Sequence, residues 1–213
     1  MRKLILVGGG GHAKSVIDVI EAQGEYLING IVDRAEKVNN TVLGYTIVAA
    51  DSQLESLIKN DQYFLVTLGQ LTSAKLRIEL YERITGLGGK MATIVSPLAR
   101  ISSHAKIGQG TVVMHHALIN AGARVGNNVI INTRALVEHD AAVGNHCHLA
   151  TGGIVNGDVS IGDGVLIGSH ATIKQGVSIT SGTTIGAQAY VHQDITQAGV
   201  YVGVPARPIE SIQ

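Results

Sequence analysis

From Ile101 onward the apolar positions of the chain recur every six residues. Steps of six pass through Ile107, Val113, Ile119, Val125, Ile131, Val137, Val143, Leu149, Val155, Ile161, Ile167, Ile173, Ile179, Ile185 and Val191, so every one is Ile, Val or Leu. Four residues beyond each stands a small or slim residue, such as Ala105, Thr111, Ala117, Cys147, Gly153 and Ala171. Gly often follows the aliphatic position, as at Gly108, Gly126, Gly144, Gly162, Gly168 and Gly186. A period of six is neither the helical repeat nor the plain alternation of a strand. It fits a short flat strand, a turn, and a following strand rotated to a new face. Three such hexads make one coil of a parallel β-helix, with the aliphatic side chain filling the axis and the slim residue beside it. Gly and Asn in the turns supply the positive φ that tight corners need.

The earlier part of the chain follows other periods. Lys3 to Val7, KLILV, predicts a buried strand, and Gly8 to His12 a glycine turn. Ala13 to Ala22 predicts a helix with Val16, Ile17, Val19 and Ile20 on its apolar side. A second strand over INGIVD ends at Asp33. The segment DSQLESLIKN, Asp51 to Asn60, opens with a Ser52 to Glu55 capping box, and YFLVTLG, Tyr63 to Gly69, predicts a further strand. Thr72 to Ile84 predicts another helix, with Leu76, Leu80 and Ile84 spaced by four. Alternating strand and helix implies a small parallel α/β domain of Rossmann-like type. The junction is expected at TGLGGK, Thr85 to Lys90. That gives a Rossmann-like domain over 1–90 and a β-helix domain with a C-terminal tail over 91–213.

Composition narrows the picture. The chain has no Trp, one Phe and six Tyr beside 27 Gly, and a core of small and β-branched residues suits a narrow repetitive architecture. The 16 basic residues balance the 16 acidic ones, so net charge gives no reason to expect nucleic acid or an anionic membrane as partner. The run LILV is too short for a signal-peptide core, and no apolar run reaches the roughly 18 residues of a membrane span. The expectation is a cytoplasmic protein without membrane insertion. A single cysteine cannot form an internal disulfide and fits a reducing compartment.

Two stretches carry candidate chemistry. Gly8, Gly10 and Ala13 fit G-x-G-x-x-A between a strand and a helix, with Asp33 beyond. Bare N–H groups at Gly10 and Gly11 and the helix N-terminus suit a pyrophosphate, while Asp33, with Arg34 beside it, suits a ribose or base. The domain is too short for two full mononucleotide halves plus a substrate domain, so the motif points to a nucleotide diphosphate rather than NAD. His12 is a candidate phosphate or sugar contact. The second stretch is VEHDAAVGNHCHLATGG, Val137 to Gly153. The hexad register turns the Cys147 thiol inward, which argues against a nucleophile. It sets His146, as an exposed turn residue, and His148 on the outer side, so HCH does not converge on one metal ion. His139 falls near a corner and faces outward, with Asp140 next to it to fix its tautomer and raise its basicity.

NTRALVEHDAAVGNHCHLATGG, GVLIGSHATI and GVYVGVPAR, together with GGGGHAKSVIDVI, resemble the hexapeptide-repeat nucleotide-sugar acetyltransferases. That family includes UDP-N-acetylbacillosamine and GDP-perosamine N-acetyltransferases and sialic-acid O-acetyltransferases. The resemblance implies a left-handed β-helix, although the general rule for parallel crossovers is right-handed. It implies His139 as general base, Asp140 orienting it, Asn132 holding substrate and His148 facing the acetyl-CoA thioester. It also implies acetyl-CoA as co-substrate, a UDP- or GDP-amino sugar as acceptor, no metal, and a homotrimer with a cofactor groove between protomers. Candidate cofactor contacts are His148, Gly152, Gly153, Ile167, Gly168, Pro205 and Arg207. The Ala141 and Gly152 neighbourhoods vary in the family, so acceptor choice is not carried over. An NAD-dependent sugar enzyme using Gly8 to Ala13, and a structural or zinc-bearing β-helix, are the competing classes.

Overall fold

The computed structural model describes residues 1–58, 62–70 and 73–209. The chain divides into two compact units that part between Ser96 and Pro97.

The first unit contains β1 (Arg2–Val7), α1 (Gly11–Gln23), β2 (Tyr26–Asp33), β3 (Thr41–Val42), β4 (Tyr45–Ala50), α2 (Leu54–Ile58), β5 (Tyr63–Val66), α3 (Lys75–Gly86) and β6 (Lys90–Met91). The sheet order is β3-β4-β2-β1-β5-β6, parallel except for the β3–β4 pair. The core gathers Ile5, Val7, Val32, Phe64, Val66, Leu80 and Ile84. The order reverses direction at β1, where β2 lies on one side and β5 on the other. In open α/β sheets that reversal opens a crevice beyond the carboxyl ends of the strands, here at Gly8 and Leu68.

The local structure departs from expectation at four places. The buried face of α3 is Arg77, Leu80, Tyr81 and Ile84, the i, i+3, i+4, i+7 pattern of a helix, whereas Leu76 is 58% exposed. Arg77 takes the interior place because its guanidinium finds a partner there, donating to Gln70 Oε1 at 3.0 Å. The capping bond falls two residues early, on the 3₁₀ turn Asp51–Gln53 that leads into α2: Gln53 Oε1 accepts the Ala50 N–H at 3.0 Å. Lys59 and Asn60, and Thr72 of the expected helix start, lie outside the described residues. The β3–β4 hairpin was not expected, because its turn residues Leu43 and Gly44 both have positive φ and Leu does not signal that conformation. β6 pairs with β5, so the first unit runs past the expected junction at Lys90.

In the second unit each hexad forms a two-residue strand ending on the aliphatic position. Leu136–Val137 pairs with Ile154–Val155, Ala142–Val143 with Ser160–Ile161, and His148–Leu149 with Leu166–Ile167, all in parallel. Successive strands therefore fall on three walls in turn. The aliphatic positions are buried from Val113 to Val191, and Ile101 and Ile107, on the first coil, are half-buried. A positive φ occurs once at each corner from Gly110 to Gln188. Gly does not monopolise these places: His116, Asn128, Arg134, Asp140, His146, Asp158, His170 and Gln188 hold them too, at about 1–2 kcal/mol of strain each. The Gly that follows the aliphatic residue serves a different purpose. Along one corner the N–H of Asn127 donates to Asn145 Oδ1 at 2.9 Å and that of Asn145 to Asp163 Oδ1 at 2.6 Å. A Cβ on Gly126 would stand 2.8 Å from Asn145 Oδ1, so Gly leaves room for this side-chain ladder.

Candidate active site

In the first unit the loop after β1 is shaped by contact. Gly8 has φ +109, and a Cβ there would come within 2.5 Å of Leu68 Cδ2. Gly9 donates to Asp33 Oδ2 at 2.7 Å, Arg34 N–H donates to Asp33 Oδ1 at 2.7 Å, and Lys37 Nζ lies 3.0 Å from Oδ2. Burial pushes the Asp33 carboxyl up, but the Arg34 and Gly9 N–H groups and the Lys37 ammonium outweigh it, so it titrates below the usual range. Asp33 thus clamps the loop with both oxygens, leaving only remaining lone pairs for a sugar. Gly8, Gly10, Asp33, Arg34, Lys37, Leu68 and exposed Leu76 line one cleft. Gly10 caps α1 with no side-chain bond and no acid in the first turn, so Gly10 and Gly11 present an uncapped helix N-terminus. His12 is not among the cleft-lining residues. Burial, and then the Arg77 charge, push its pKa down to about 4, so the ring is neutral at pH 7.

In the second unit Glu138, His139 and Asp140 form the corner after the Leu136–Val137 strand. His139 Nδ1–H donates to Asp140 Oδ2 at 3.0 Å, with half of the His139 side chain open to solvent. This bond raises the His139 pKa above the ordinary imidazole value. Desolvation opposes it by less, and the charges of Asp140, Asp158 and Glu138 add to the rise. With Nδ1 carrying the proton, Nε2 is left with its lone pair. Glu138 Oε2 accepts from Asn120 Nδ2 at 2.8 Å and from the His139 N–H at 3.1 Å. The pair is an oriented, solvent-accessible base of raised basicity.

His148 lies elsewhere. It occupies an outward strand position as expected but is buried, 7% exposed, with its Nε2 3.4 Å from Asn132 Nδ2. Its wall is shared with Ile130 and Leu166. The corner of His139 separates the other two walls, so in a three-walled coil it stands opposite the His148 wall. One copy of the chain joins Asn132 with His148 and His139 with Asp140, but does not join the two pairs.

The remaining candidates divide. The Ile167 side chain is wholly buried on the axis, so the cofactor contact expected there falls to its backbone. The N–H groups of Gly152, Gly153 and Gly168 already bond Thr133, Ala150 and Ile185 carbonyls. The His170 ring also covers Gly152, leaving 2.6 Å from a Cβ position there to Cε1. Arg207 lines a pocket with His192, Asp194, Tyr201 and Pro208, and Pro205 is not among its lining residues. Cys147 is buried as expected, its thiol against the Gly162 carbonyl at 3.1 Å. His146 is half-buried, not exposed, because Asn128 Nδ2 lies 2.9 Å from its Nδ1. Among the described residues no group of His, Cys, Asp and Glu is arranged to hold a metal, and no helix is long and apolar enough to cross a membrane. Sequence reading missed Lys37, Leu68, Leu76, Gly122 and Gly157; for the last two, a step of one coil from Asp140 and His139 would have found them.

A family model for the PglD N-terminal domain matches residues 3–84, and one for the bacterial transferase hexapeptide matches residues 158–193. The acetyltransferase domain of PglB from Neisseria gonorrhoeae FA1090 is 33% identical and superposes with a TM-score of 0.90, over 98% of this chain and 100% of that one. PerB from Caulobacter crescentus, solved with CoA and GDP-perosamine, is also 33% identical with a TM-score of 0.90, over 98% and 97%. A UDP-N-acetylbacillosamine N-acetyltransferase from Bacillus subtilis is 34% identical over 117 residues, which span 54% of this chain and about half of that protein, 52%. With the hexapeptide-repeat β-helix, the glycine-loop unit and this identity over nearly its whole length, the chain belongs to the hexapeptide-repeat nucleotide-sugar acetyltransferases.

Proposed function

We propose that the protein transfers an acetyl group from acetyl-CoA to the 4-amino group of a UDP-linked 4-amino-4,6-dideoxy sugar. The observation that carries the reading is the His139–Asp140 pair, a base held at 3.0 Å by its acid on an open corner. The similar Neisseria domain has been solved with acetyl coenzyme A. The first unit takes the nucleotide end: the uncapped helix N-terminus at Gly10 and Gly11 suits the diphosphate, Asp33 and Arg34 the ribose or base, and Leu68 and Leu76 give an apolar wall. GDP-perosamine is the second reading, because the PerB structure holds that nucleotide sugar.

In the reaction the sugar amine attacks the thioester carbonyl as His139 Nε2 removes a proton. Asp140 stabilises the imidazolium that forms. Collapse of the tetrahedral intermediate expels the CoA thiolate, which takes up that proton. His148, or a backbone N–H, supports the oxyanion, and Asn132 holds substrate beside it. Cys147 is buried, so attack is direct in a ternary complex with no acetyl-enzyme.

The opposed placement of His139 and His148 is satisfied when a second copy brings its His148 wall to the first copy's corner, which supports a homotrimer with shared sites. The wall leading into the corner presents Leu118, Leu136 and Ile154 outward and half-buried, suitable for such a contact. Arg207 with Pro205 and the backbone at Gly152, Gly153 and Gly168 are the proposed cofactor side of the groove. Dependence on acetyl-CoA puts the enzyme in the cytoplasm. The test is CoA-thiol release against a panel of UDP- and GDP-amino sugars, with light scattering for the mass of the assembly. Release with an amino sugar only is expected; a burst of thiol without acceptor would refute direct transfer, and equal activity of His139→Ala would remove the base.

A further inference from the structure

The His139–Asp140 pair is not held by its own corner alone. One coil above His139 stands Gly157, whose φ lies outside the left-handed region, so its backbone makes no demand for glycine. It is nonetheless buried. A Cβ built there would stand 2.6 Å from His139 Cε1, 2.7 Å from Nε2 and 3.2 Å from Nδ1. All three nearest atoms belong to the imidazole, so the ring occupies the space that a side chain would take. One coil below Asp140 stands Gly122, with φ +77, and its Cβ position meets Asp140 Oδ1 and, at 3.2 Å, Cγ. Gly176, in the same corner row as Gly122, has φ +74 and nothing within 4 Å of a Cβ.

We propose that Gly157 and Gly122 are positioning residues: the bare backbone of the coils above and below is a seat that fixes the His139 imidazole against the Asp140 carboxylate. The groups facing the imidazole electrostatically are Asp140, Asp158 and Glu138; of these the Asp140 bond holds the ring at its Nδ1 edge but leaves it free to tilt about that bond. Contact with the Gly157 backbone removes that freedom on one side. The carboxylate over Gly122 is restrained in the same way on the other. The proposal rests on His139 acting as the base.

Gly157→Ala tests it cleanly, because the substitution keeps the backbone N–H, brings no φ strain and meets only the movable end of a side chain. The first readout needs no substrate: NMR titration of the His139 imidazole. It is expected to titrate above the ordinary value in the parent and to fall toward it in Gly157→Ala, with Tm unchanged. The second is kinetic. A misplacement of about 1 Å costs on the order of 100-fold in kcat, with KM for acetyl-CoA unchanged and with the His139→Ala, Gly157→Ala double variant no slower than His139→Ala alone. Gly122→Ala and Gly176→Ala carry equal φ strain, and only the former is expected to move the His139 titration. An unmoved titration in Gly157→Ala, or equal shifts in the latter two variants, overturns the seat. A moved titration with unchanged kcat upholds the seat and overturns the base reading instead.

Discussion

The glycine loop of the first unit and the His139 corner of the second both place glycine where a neighbouring side chain fills the Cβ position, yet the neighbours differ in kind. At Gly8 the neighbour is Leu68, beside a buried Asp33 whose oxygens already hold Gly9, Arg34 and Lys37. At Gly157 it is the half-exposed ring of His139. The loop is closed on itself and offers a ligand mainly backbone; the corner leaves a reactive nitrogen free. A glycine beside core thus maintains a shape, whereas a glycine beside an exposed base sets an orientation.

Substitutions can pull this comparison apart. The largest effect is expected from His139→Ala, which removes a proton acceptor worth about 10²–10⁴-fold in kcat while leaving Tm alone, since the residue is exposed; a steady-state rate and a melt on one sample check both. Gly8→Ala should behave in the opposite way. Positive φ and the Leu68 contact cost about 2 kcal/mol, seen in denaturant unfolding of the first unit, with weaker nucleotide-sugar binding and kcat at saturation preserved.

Asp140→Asn sharpens the corner's side of the contrast. The base works when neutral, so kcat/KM rises as pH climbs through the His139 pKa, which Asp140 raises. Removing the charge moves that acidic limb to lower pH and lowers the plateau about tenfold. An acidic limb that stays in place would sever His139 from the profile. Asp33→Asn has the smallest expected effect, about 1 kcal/mol from lost charge-assisted bonds. Because the folded pKa of Asp33 is depressed, its contribution is present above the unfolded carboxylate pKa and lost as pH falls through the folded one. The variant's deficit should therefore vanish in acid, measured as unfolding free energy from pH 7 down to 3.

The β-helix was legible almost residue by residue, because each hexad repeats one local solution and the aliphatic position must point to the axis. The inward thiol of Cys147 and the outward His139 followed from counting. The α/β unit was legible in its strands and first helix, but the four-residue spacing of Leu76, Leu80 and Ile84 misled. An arginine can take an interior place when a buried amide such as that of Gln70 receives it. The burial of His148 and of the half-hidden His146 was not legible either, since both depend on what stands one coil away.

The sequence by itself therefore determined the repeat, the inside and outside of every coil, and the placing of His139 beside Asp140 on an outward corner, because these depend on period and adjacency. Tertiary structure alone decided that Asp33 is occupied by its own loop, that His139 and His148 face away from each other in one chain, and that the imidazole lies on Gly157. Those facts depend on which residues are stacked across a coil or a sheet, a separation that the linear order does not display.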